Sequence, residues 1–219
     1  MSYEAIIWDC DGVLIDSEVI ACGVARDVFA ELGRDIPLDE YITRFTGKSI
    51  RQAIEELAPE NNFPFEDYKR RQAEAFSAKL KPVDGIEHVL KNLRLPMAIA
   101  SGSELKRLEH CLGITGLLPY FNGHVYSSEM VARGKPAPDV FLYAAEKLGV
   151  KPENCLVIED GVHGTHGAIA AGMDVYGYAG GCHMTPALTA ALANAGVKDI
   201  LNHISEVLAL VQSEWKKAS

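Results

Sequence analysis

The sequence has little positive charge and no long hydrophobic run. Its 219 residues include 21 Lys and Arg against 30 Asp and Glu, a formal net charge of −9. This balance argues against a nucleic acid or an anionic membrane as partner, because both reward clustered basic residues. No run of 18 apolar residues occurs, and no basic segment precedes the first apolar run. Neither a membrane span nor a secretory signal is predicted, so we expect a cytoplasmic protein.

Cysteine is also scarce, and its pattern excludes two further classes of protein. The five cysteines are widely spaced and include no CxxC pair; they are Cys10, Cys22, Cys111, Cys155 and Cys182. An odd count with this spacing speaks against both a disulfide framework and a zinc site. The GxxxxGK[ST] pattern of a P-loop is absent as well, which excludes that type of nucleotide-binding protein.

The most informative stretch lies near the start of the chain, at residues 5–17. Four apolar residues, 5–8, predict a short buried parallel strand, and Asp9 and Asp11 follow at its carboxyl end. Alternation along an extended chain places the two carboxylates on the same side, where they repel unless a cation such as Mg²⁺ neutralises them. A surface turn would explain Asp11 and Gly12 but not an aspartate at the end of a buried strand.

The next segment, residues 17–82, contains only helical patterns. The first helix presents Ile20, Val24 and Val28 on one face and ends at Gly33. Three more helices are predicted at residues 38–45, from a capping box at residues 49–52 to about Ala58, and at residues 65–80.

Strands and helices alternate in the rest of the chain. Apolar strands are predicted at residues 97–100, 125–126, 155–158 and 175–178. Helices are predicted at residues 86–94, from the end of the Ser101-Gly102-Ser103 segment to Leu112 with Gly113 as its stop, and at residues 138–148. This alternation predicts an α/β fold with a doubly wound parallel sheet. We expect a core domain formed by residues 1–16 and 83–219, and an inserted helical domain at residues 17–82.

Three further polar clusters lie at or beside the ends of predicted strands. Ser101-Gly102-Ser103 separates a strand from a helix, where hydroxyl and N–H groups can hold a phosphate. Lys135 lies between a glycine and two prolines in a stiff loop that sets its direction. Glu159-Asp160 ends a buried strand, where paired carboxylates need a cation or a shell of hydrogen bonds.

Together these clusters resemble the haloacid dehalogenase superfamily in its phosphatase branch. Residues 9–17, Asp-Cys-Asp-Gly-Val-Leu-Ile-Asp-Ser, are similar to the first motif of that family, with Trp8 where phenylalanine is usual. Ser101, Lys135 and the pair at 159–160 match the second, third and fourth motifs in order. The fourth motif departs from the family at Gly161, where a serine is common.

The resemblance implies a role for each motif residue. Asp9 would be the nucleophile that takes the phosphoryl group, and Asp11 the general acid and base, with its backbone carbonyl on Mg²⁺. Ser101 and Lys135 would stabilise the phosphoryl oxygens, and Asp160 would bind Mg²⁺ together with Asp9. Glu159 would lie beside the metal ligands in an outer position. The implied reaction is Mg²⁺-dependent hydrolysis of a phosphate monoester through an aspartyl-phosphate.

The resemblance also covers the four inserted helices, which match the helical cap of the β-phosphoglucomutase-like branch. We expect a monomer or weak dimer that acts on a small phosphorylated metabolite, a sugar or sugar-acid phosphate. The predicted substrate-binding residues are Ser17, Lys48, Arg51, Gly102 and Ser103.

Alternatives to a phosphatase remain at this stage. A phosphosugar mutase would need the cap histidine of β-phosphoglucomutases, but Ala21 stands at that position. A dehalogenase lacks the second aspartate that Asp11 supplies here, and a non-catalytic binding protein would not need all four motifs. His163, His166 and His183 do not have the spacing of zinc ligands, so helix-face or loop positions are favoured for them.

Overall fold

The computed structural model describes residues 3–60 and 62–218 of the chain, without the side chains of residues 213–218. The strands are β1 Ala5–Trp8, β2 Met97–Ser101, β3 Val125–Ser127, β4 Cys155–Glu159, β5 Asp174–Tyr178 and β6 Ile200–Leu201. The α-helices are α1 Glu18–Glu31, α2 Leu38–Phe45, α3 Ile50–Leu57, α4 Phe65–Lys79, α5 Ile86–Asn92, α6 Leu105–Ile114, α7 Asp139–Leu148, α8 Val162–Ala170, α9 Pro186–Asn194 and α10 Glu206–Ala218.

The described strands form one six-stranded sheet in the order β3-β2-β1-β4-β5-β6. Every neighbouring pair is parallel, which confirms the predicted doubly wound α/β fold. Each face of the sheet carries a hydrophobic cluster, one around Trp8 and Leu108 and the other around Ile7 and Phe141. The strand order reverses direction between β1 and β4. In open α/β sheets this reversal opens a crevice at the carboxyl ends of the strands.

The segment between β1 and β2 is helical, as the sequence predicts, and has a hydrophobic core of its own. Aromatic side chains of α1, α2, α4 and the loop before α4 meet there, with the Phe29 and Phe63 ring centroids 4.8 Å apart. The capping box at the start of α3 is present, with the Ser49 hydroxyl accepting from the Gln52 N–H group. The predicted face of α1 is shifted, because Val28 is buried but Ile20 is only partly covered.

Two details differ from the sequence prediction. Helix α6 does not end at Gly113 but continues to Ile114, and Gly116, with φ of 74°, begins the turn that follows. A glycine weakens a helix without ending it, and here the left-handed residue three positions later provides the stop. The short strand β6 and the helices α9 and α10 have no counterpart in the prediction, since a strand of two residues shows no periodicity. Among the described residues, no helix is both long and apolar enough to cross a membrane.

Candidate active site

The reversal between β1 and β4 brings the first and fourth motifs together. Trp8 pairs with Ile158 across the two strands, and the Asp9 N–H group donates to the Ile158 carbonyl at 3.0 Å. The next residue on β4 is Glu159, so the carboxylates at 9 and 159 lie side by side where the strands end. Asp9 and Glu159 are both buried, at 7% and 2% exposure.

Lys135 connects these two carboxylates. Its Nζ atom lies 2.6 Å from Asp9 Oδ1 and 2.6 Å from Glu159 Oε1. The ammonium group is also 5.0 Å from the centroid of the Phe141 ring in α7. Burial alone would lower the pKa of Lys135, but the two carboxylates outweigh it and raise the pKa. The lysine is therefore a fixed positive charge next to Asp9.

Asp160 completes an acidic group beside the lysine. Carboxylate oxygens of Asp9, Glu159 and Asp160 lie within 4.8 Å of one another, close enough to hold one metal ion. Two glycines leave room for this arrangement. A Cβ atom on Gly12 would stand 1.9 Å from Asp160 Oδ2, and one on Gly164 would stand 1.5 Å from Glu159 Oε1. Side chains at either position would displace the carboxylates.

The acidic group carries more negative charge than its protein neighbours offset. Lys135 binds both Asp9 and Glu159, whereas Asp160 lies beside His183, whose Nε2 atom is 3.0 Å from Asp160 Oδ2. Burial and the charge of Asp9 raise the pKa of Asp160 well above its ordinary value. Burial likewise raises the pKa of Asp9 to about 7, despite the opposing effect of Lys135. These raised pKa values mark a site that a cation would stabilise.

Asp11 lies in a different environment two residues away. Its Oδ1 atom accepts from the Ser17 hydroxyl at 2.5 Å, and its Oδ2 atom accepts from the Ser103 hydroxyl at 2.6 Å. Arg107 of α6 binds both oxygens, at 2.7 and 2.8 Å. Burial alone would raise the pKa of Asp11, but Arg107 and the two hydroxyls lower it to about 2.

The second motif lies at the end of β2, on the opposite side of β1 from the fourth motif. Ser101 is buried, and its Oγ atom accepts from the Ser103 N–H group at 3.1 Å. Gly102 is exposed, with open space where a Cβ atom would stand. Of the predicted substrate-binding residues, Ser17 and Ser103 are therefore engaged with Asp11, while Gly102 is free for an approaching group.

The other two predicted substrate-binding residues, Lys48 and Arg51, are exposed on the helical segment. Lys48 Nζ lies 3.6 Å from Glu56 and 5.1 Å from the Phe45 ring centroid. The loop before α3 nevertheless contacts α8, which packs beside the sheet. The Gly47 carbonyl lies 3.2 Å from His163 Nδ1 near the start of that helix. Because β4 ends at Glu159 and α8 begins at Val162, this contact places the loop above the end of the fourth motif.

Three residues at the site were not assigned a role from the sequence: Glu18, Arg107 and His183. Arg107 lies in the first turn of α6, whereas Ser103 precedes the helix, so no local pattern in the sequence links the two residues. Burial and the charges of Asp11 and Asp160 raise the pKa of Glu18 to about 8. His183 is a loop residue, as expected, but it is buried, and its Nε2 atom lies 3.0 Å from Asp160 Oδ2.

Known proteins resemble this chain over nearly its whole length. It is 30% identical to the 6-phosphogluconate phosphatase of Escherichia coli strain K12 over 189 residues, covering 84% of this chain and 86% of that protein. It is 33% identical to the phosphorylated carbohydrates phosphatase of Thermotoga maritima over 217 residues, covering 94% of this chain and all of that protein. These named relatives are phosphatases, in agreement with the predicted class of enzyme.

Solved structures and a family model agree with these relatives. A hydrolase of Deinococcus radiodurans, solved with bound phosphate and sodium, superposes with a TM-score of 0.83 at 34% identity, covering 97% of this chain and 96% of that one. A model of the haloacid dehalogenase-like hydrolases matches residues 3–172. The resemblance inferred from the four motifs is thereby confirmed, and the chain belongs to the haloacid dehalogenase-like hydrolase family.

Proposed function

We propose that this protein is a Mg²⁺-dependent phosphatase that hydrolyses a small phosphorylated carbohydrate, a sugar phosphate or a sugar-acid phosphate. The observation that carries the proposal is the meeting of Asp9, Lys135 and Asp160 at the reversal point of the sheet. A buried carboxylate beside a fixed ammonium group, within a group of carboxylates that could hold a metal ion, suits attack on a phosphoryl group.

The acidic group fits a divalent cation. Two buried carboxylates, at 9 and 159, and two partly buried ones, at 11 and 160, face the two permanent positive charges of Lys135 and Arg107. Burial lowers the pKa of His183, so its imidazole stays neutral. Asp9 and Asp160 would supply carboxylate oxygens and Asp11 its backbone carbonyl, while Glu159 stays on Lys135. Mg²⁺ bound there would offset the charge of the phosphoryl oxygens and orient the group for in-line attack.

Asp9 is the proposed nucleophile. One of its carboxylate oxygens attacks phosphorus, the bond from phosphorus to the leaving oxygen breaks, and an aspartyl-phosphate forms. Lys135 holds Asp9 in place at 2.6 Å and favours its anionic form. The hydroxyl of Ser101 and the N–H group of Gly102 would donate to the phosphoryl oxygens.

Asp11 is the proposed acid and base. It gives a proton to the leaving oxygen in the first step, and in the second it takes a proton from the water that attacks phosphorus. The bond from phosphorus to the Asp9 oxygen then breaks, inorganic phosphate leaves and the Asp9 carboxylate is restored. Asp11 lies two residues from Asp9 at the same strand end, which puts both carboxyl groups within reach of one phosphate ester.

We further propose that residues 17–82 act as a cap domain that selects the substrate, over a core formed by residues 1–16 and 83–219. Support comes from the separate hydrophobic cluster of these helices and from the contact of Gly47 with His163. Lys48 and Arg51 would then meet the anionic substrate when the loop closes over it. The names of the relatives, a 6-phosphogluconate phosphatase and a phosphorylated carbohydrates phosphatase, support the carbohydrate class.

Hydrolysis is favoured over isomerisation by the surroundings of Ala21. This residue packs against the main hydrophobic cluster and offers no polar group, whereas the resemblance to β-phosphoglucomutases would require a histidine there. A cytoplasmic location and a monomeric or weakly dimeric state remain predictions.

The proposal is tested by measuring inorganic phosphate released from a panel of sugar phosphates, sugar-acid phosphates and nucleotides in the presence of Mg²⁺. We expect release from members of the first two groups and little from nucleotides. An Asp9→Asn preparation, purified identically, controls for contaminating phosphatases. Conversion of β-glucose 1-phosphate to glucose 6-phosphate without phosphate release would instead identify a mutase, and binding without any turnover would identify a non-catalytic protein.

A further inference from the structure

The carboxylate of Asp11 is fully engaged in this structure. Ser17, Ser103 and both terminal nitrogens of Arg107 donate to its two oxygens, and Arg107 also contacts the Ser103 hydroxyl. Only 12% of the Asp11 side chain and 22% of the Arg107 side chain are exposed. A two-pronged guanidinium–carboxylate pair of this kind is among the strongest side-chain interactions in proteins.

This engagement opposes the role proposed for Asp11. A carboxylate that accepts two hydrogen bonds at each oxygen, as Asp11 does, has no free lone pair from which to exchange a proton with a leaving group. In the catalytic cycle Asp11 therefore has to exchange at least part of its contact with Arg107 for the substrate. Something must then satisfy the guanidinium, because an unpaired charge left in a largely buried place is costly.

Arg107 lies where a substrate could reach it. It projects from α6 toward α4 of the helical segment, with its guanidinium carbon 4.9 Å from the centroid of the Phe76 ring. Its Nε atom is buried and has no hydrogen-bond partner among the residues that the structure describes. The side chain thus has one unused donor as well as the two nitrogens that hold Asp11.

The other nearby cations are committed elsewhere. Lys135 binds Asp9 and Glu159 on the nucleophile side of the site, and Lys48 is exposed next to Glu56. On the side of Asp11, where the leaving group of the ester would lie, the guanidinium of Arg107 already contacts the first motif, whereas Arg51, like Lys48, is exposed on the helical segment.

We propose that Arg107 recognises a second anionic group on the substrate, a carboxylate or a second phosphate, and that this exchange frees Asp11 for proton transfer. The inference rests on the proposed phosphatase activity and narrows its substrates to phosphate monoesters with an anionic leaving portion. An incoming carboxylate or phosphate replaces one anionic partner of the guanidinium by another, because both offer two oxygens to its terminal nitrogens. A neutral leaving portion leaves Arg107 on Asp11 and is turned over slowly.

A matched pair of substrates tests the exchange directly. 6-Phosphogluconate and glucitol 6-phosphate differ only in a carboxylate against a hydroxymethyl group. We expect the wild-type protein to favour the acid by about tenfold or more in kcat/KM, because a site built for a polar group discriminates against a substrate that lacks it. Arg107→Met should reduce this preference to within about threefold, while Arg107→Lys should keep a part of it, since lysine retains the charge without the fork.

The neighbouring exposed Lys106 on the same helix supplies the control. Lys106→Met should keep the full preference for the acid, which separates a local contact from a general effect of positive charge. Equal rates on both substrates in the wild type, or an unchanged preference in Arg107→Met, would overturn the proposal. p-Nitrophenyl phosphate, which has no second anion, distinguishes this failure from failure of the proposed function. If Mg²⁺ supports its hydrolysis but the matched pair shows no preference, only the role of Arg107 is refuted.

Discussion

The two aspartates of the first motif differ sharply although one residue separates them. Asp9 shares one ammonium group with Glu159 and faces Asp160, and burial raises its pKa to about 7. Asp11 has a guanidinium and two hydroxyls to itself, and these lower its pKa to about 2. The Asp9 side has an excess of negative charge, whereas the Asp11 side is balanced.

Because of this difference in charge, Asp9 and Asp11 require different changes in their surroundings before they can take part in a reaction. The Asp9 side needs a cation before several carboxylates can stay ionised together, and this need matches a metal-assisted nucleophile. In the proposed mechanism, the Asp11 carboxyl has to lose a hydrogen-bond partner before it can transfer a proton. One strand end thus holds a carboxylate that needs a cation and a carboxylate that needs to lose a partner, and only Cys10 separates them.

Replacing Asp9, the proposed nucleophile, should have the largest effect on kcat. Asp9→Asn preserves the shape of the side chain but replaces the attacking oxygen by an amide, so kcat should fall by at least about a thousandfold. The exposed aspartate of α1 provides a control, and Asp27→Asn should keep wild-type kcat. The measurement is steady-state phosphate release together with the melting temperature. Residual activity of more than a few per cent in folded Asp9→Asn would refute the nucleophile.

Removing the cation should have the next largest effect. EDTA should lower the rate by about a hundredfold or more, and added Mg²⁺ should restore it. Asp160→Asn should raise the Mg²⁺ concentration needed for half-maximal activity by about tenfold or more, because it removes a charged ligand.

The same variant gives a readout that does not depend on activity. Mg²⁺ should raise the melting temperature of the wild-type protein and should do so much less for Asp160→Asn. An equal shift in both proteins would place the cation elsewhere, and full activity in excess chelator would refute a Mg²⁺ mechanism.

Glu18 lies near both Asp11 and Asp160, and the pH dependence of the free energy of unfolding should show the effect of their charges on its pKa. Its folded pKa of about 8 is above the ordinary value of 4.5, so the folded state binds the extra proton between these pH values. Its stabilising contribution is complete below about pH 4.5 and is lost as pH rises through 8. In metal-free buffer, Glu18→Gln should therefore become progressively more stable than the wild type from pH 5 to 9. The exposed Glu55→Gln is the control, and a constant difference across that range would contradict the raised pKa.

Lys48 and Arg51 belong to neither side and should give the smallest effects. Both are exposed, and Lys48 already lies near Glu56. If the loop before α3 closes over an anionic substrate, Lys48→Ala or Arg51→Ala should raise KM by about threefold and change kcat less. The reason is that such surface contacts stabilise the bound substrate and the transition state equally. Kinetics on a sugar-acid phosphate measure this split. A loss confined to kcat would show that these residues act on the chemistry instead.

The strand ends of the core were readable from the sequence because local patterns specify them. An apolar run followed by carboxylates predicts both the buried strand β1 and the exit of Asp9 into the crevice, and the same holds for β4 and Glu159. Helix α2 has the predicted bounds, since its amphipathic pattern is unbroken.

Arg107, Glu18 and His183 could not be read in the same way. Each acquires its role from a partner that is brought near by folding, as with Arg107 and Asp11, which are 96 residues apart. A single arginine on a helix is usually solvated, and only the packing of α6 against the first motif turns it toward a carboxylate. The missed stop of α6 has a local cause, because a glycine inside a helix and one after it look alike in sequence.

The account depends most on the covalent role of Asp9, and trapping the intermediate tests that role directly. The wild-type protein is mixed with Mg²⁺ and a sugar-acid phosphate, quenched in acid during turnover, reduced with borohydride and mapped by mass spectrometry. Borohydride converts an aspartyl-phosphate to homoserine, so the account predicts homoserine at position 9 and none at positions 11 or 160. Substrate-dependent conversion at another aspartate, or rapid turnover with no conversion at Asp9, would contradict it.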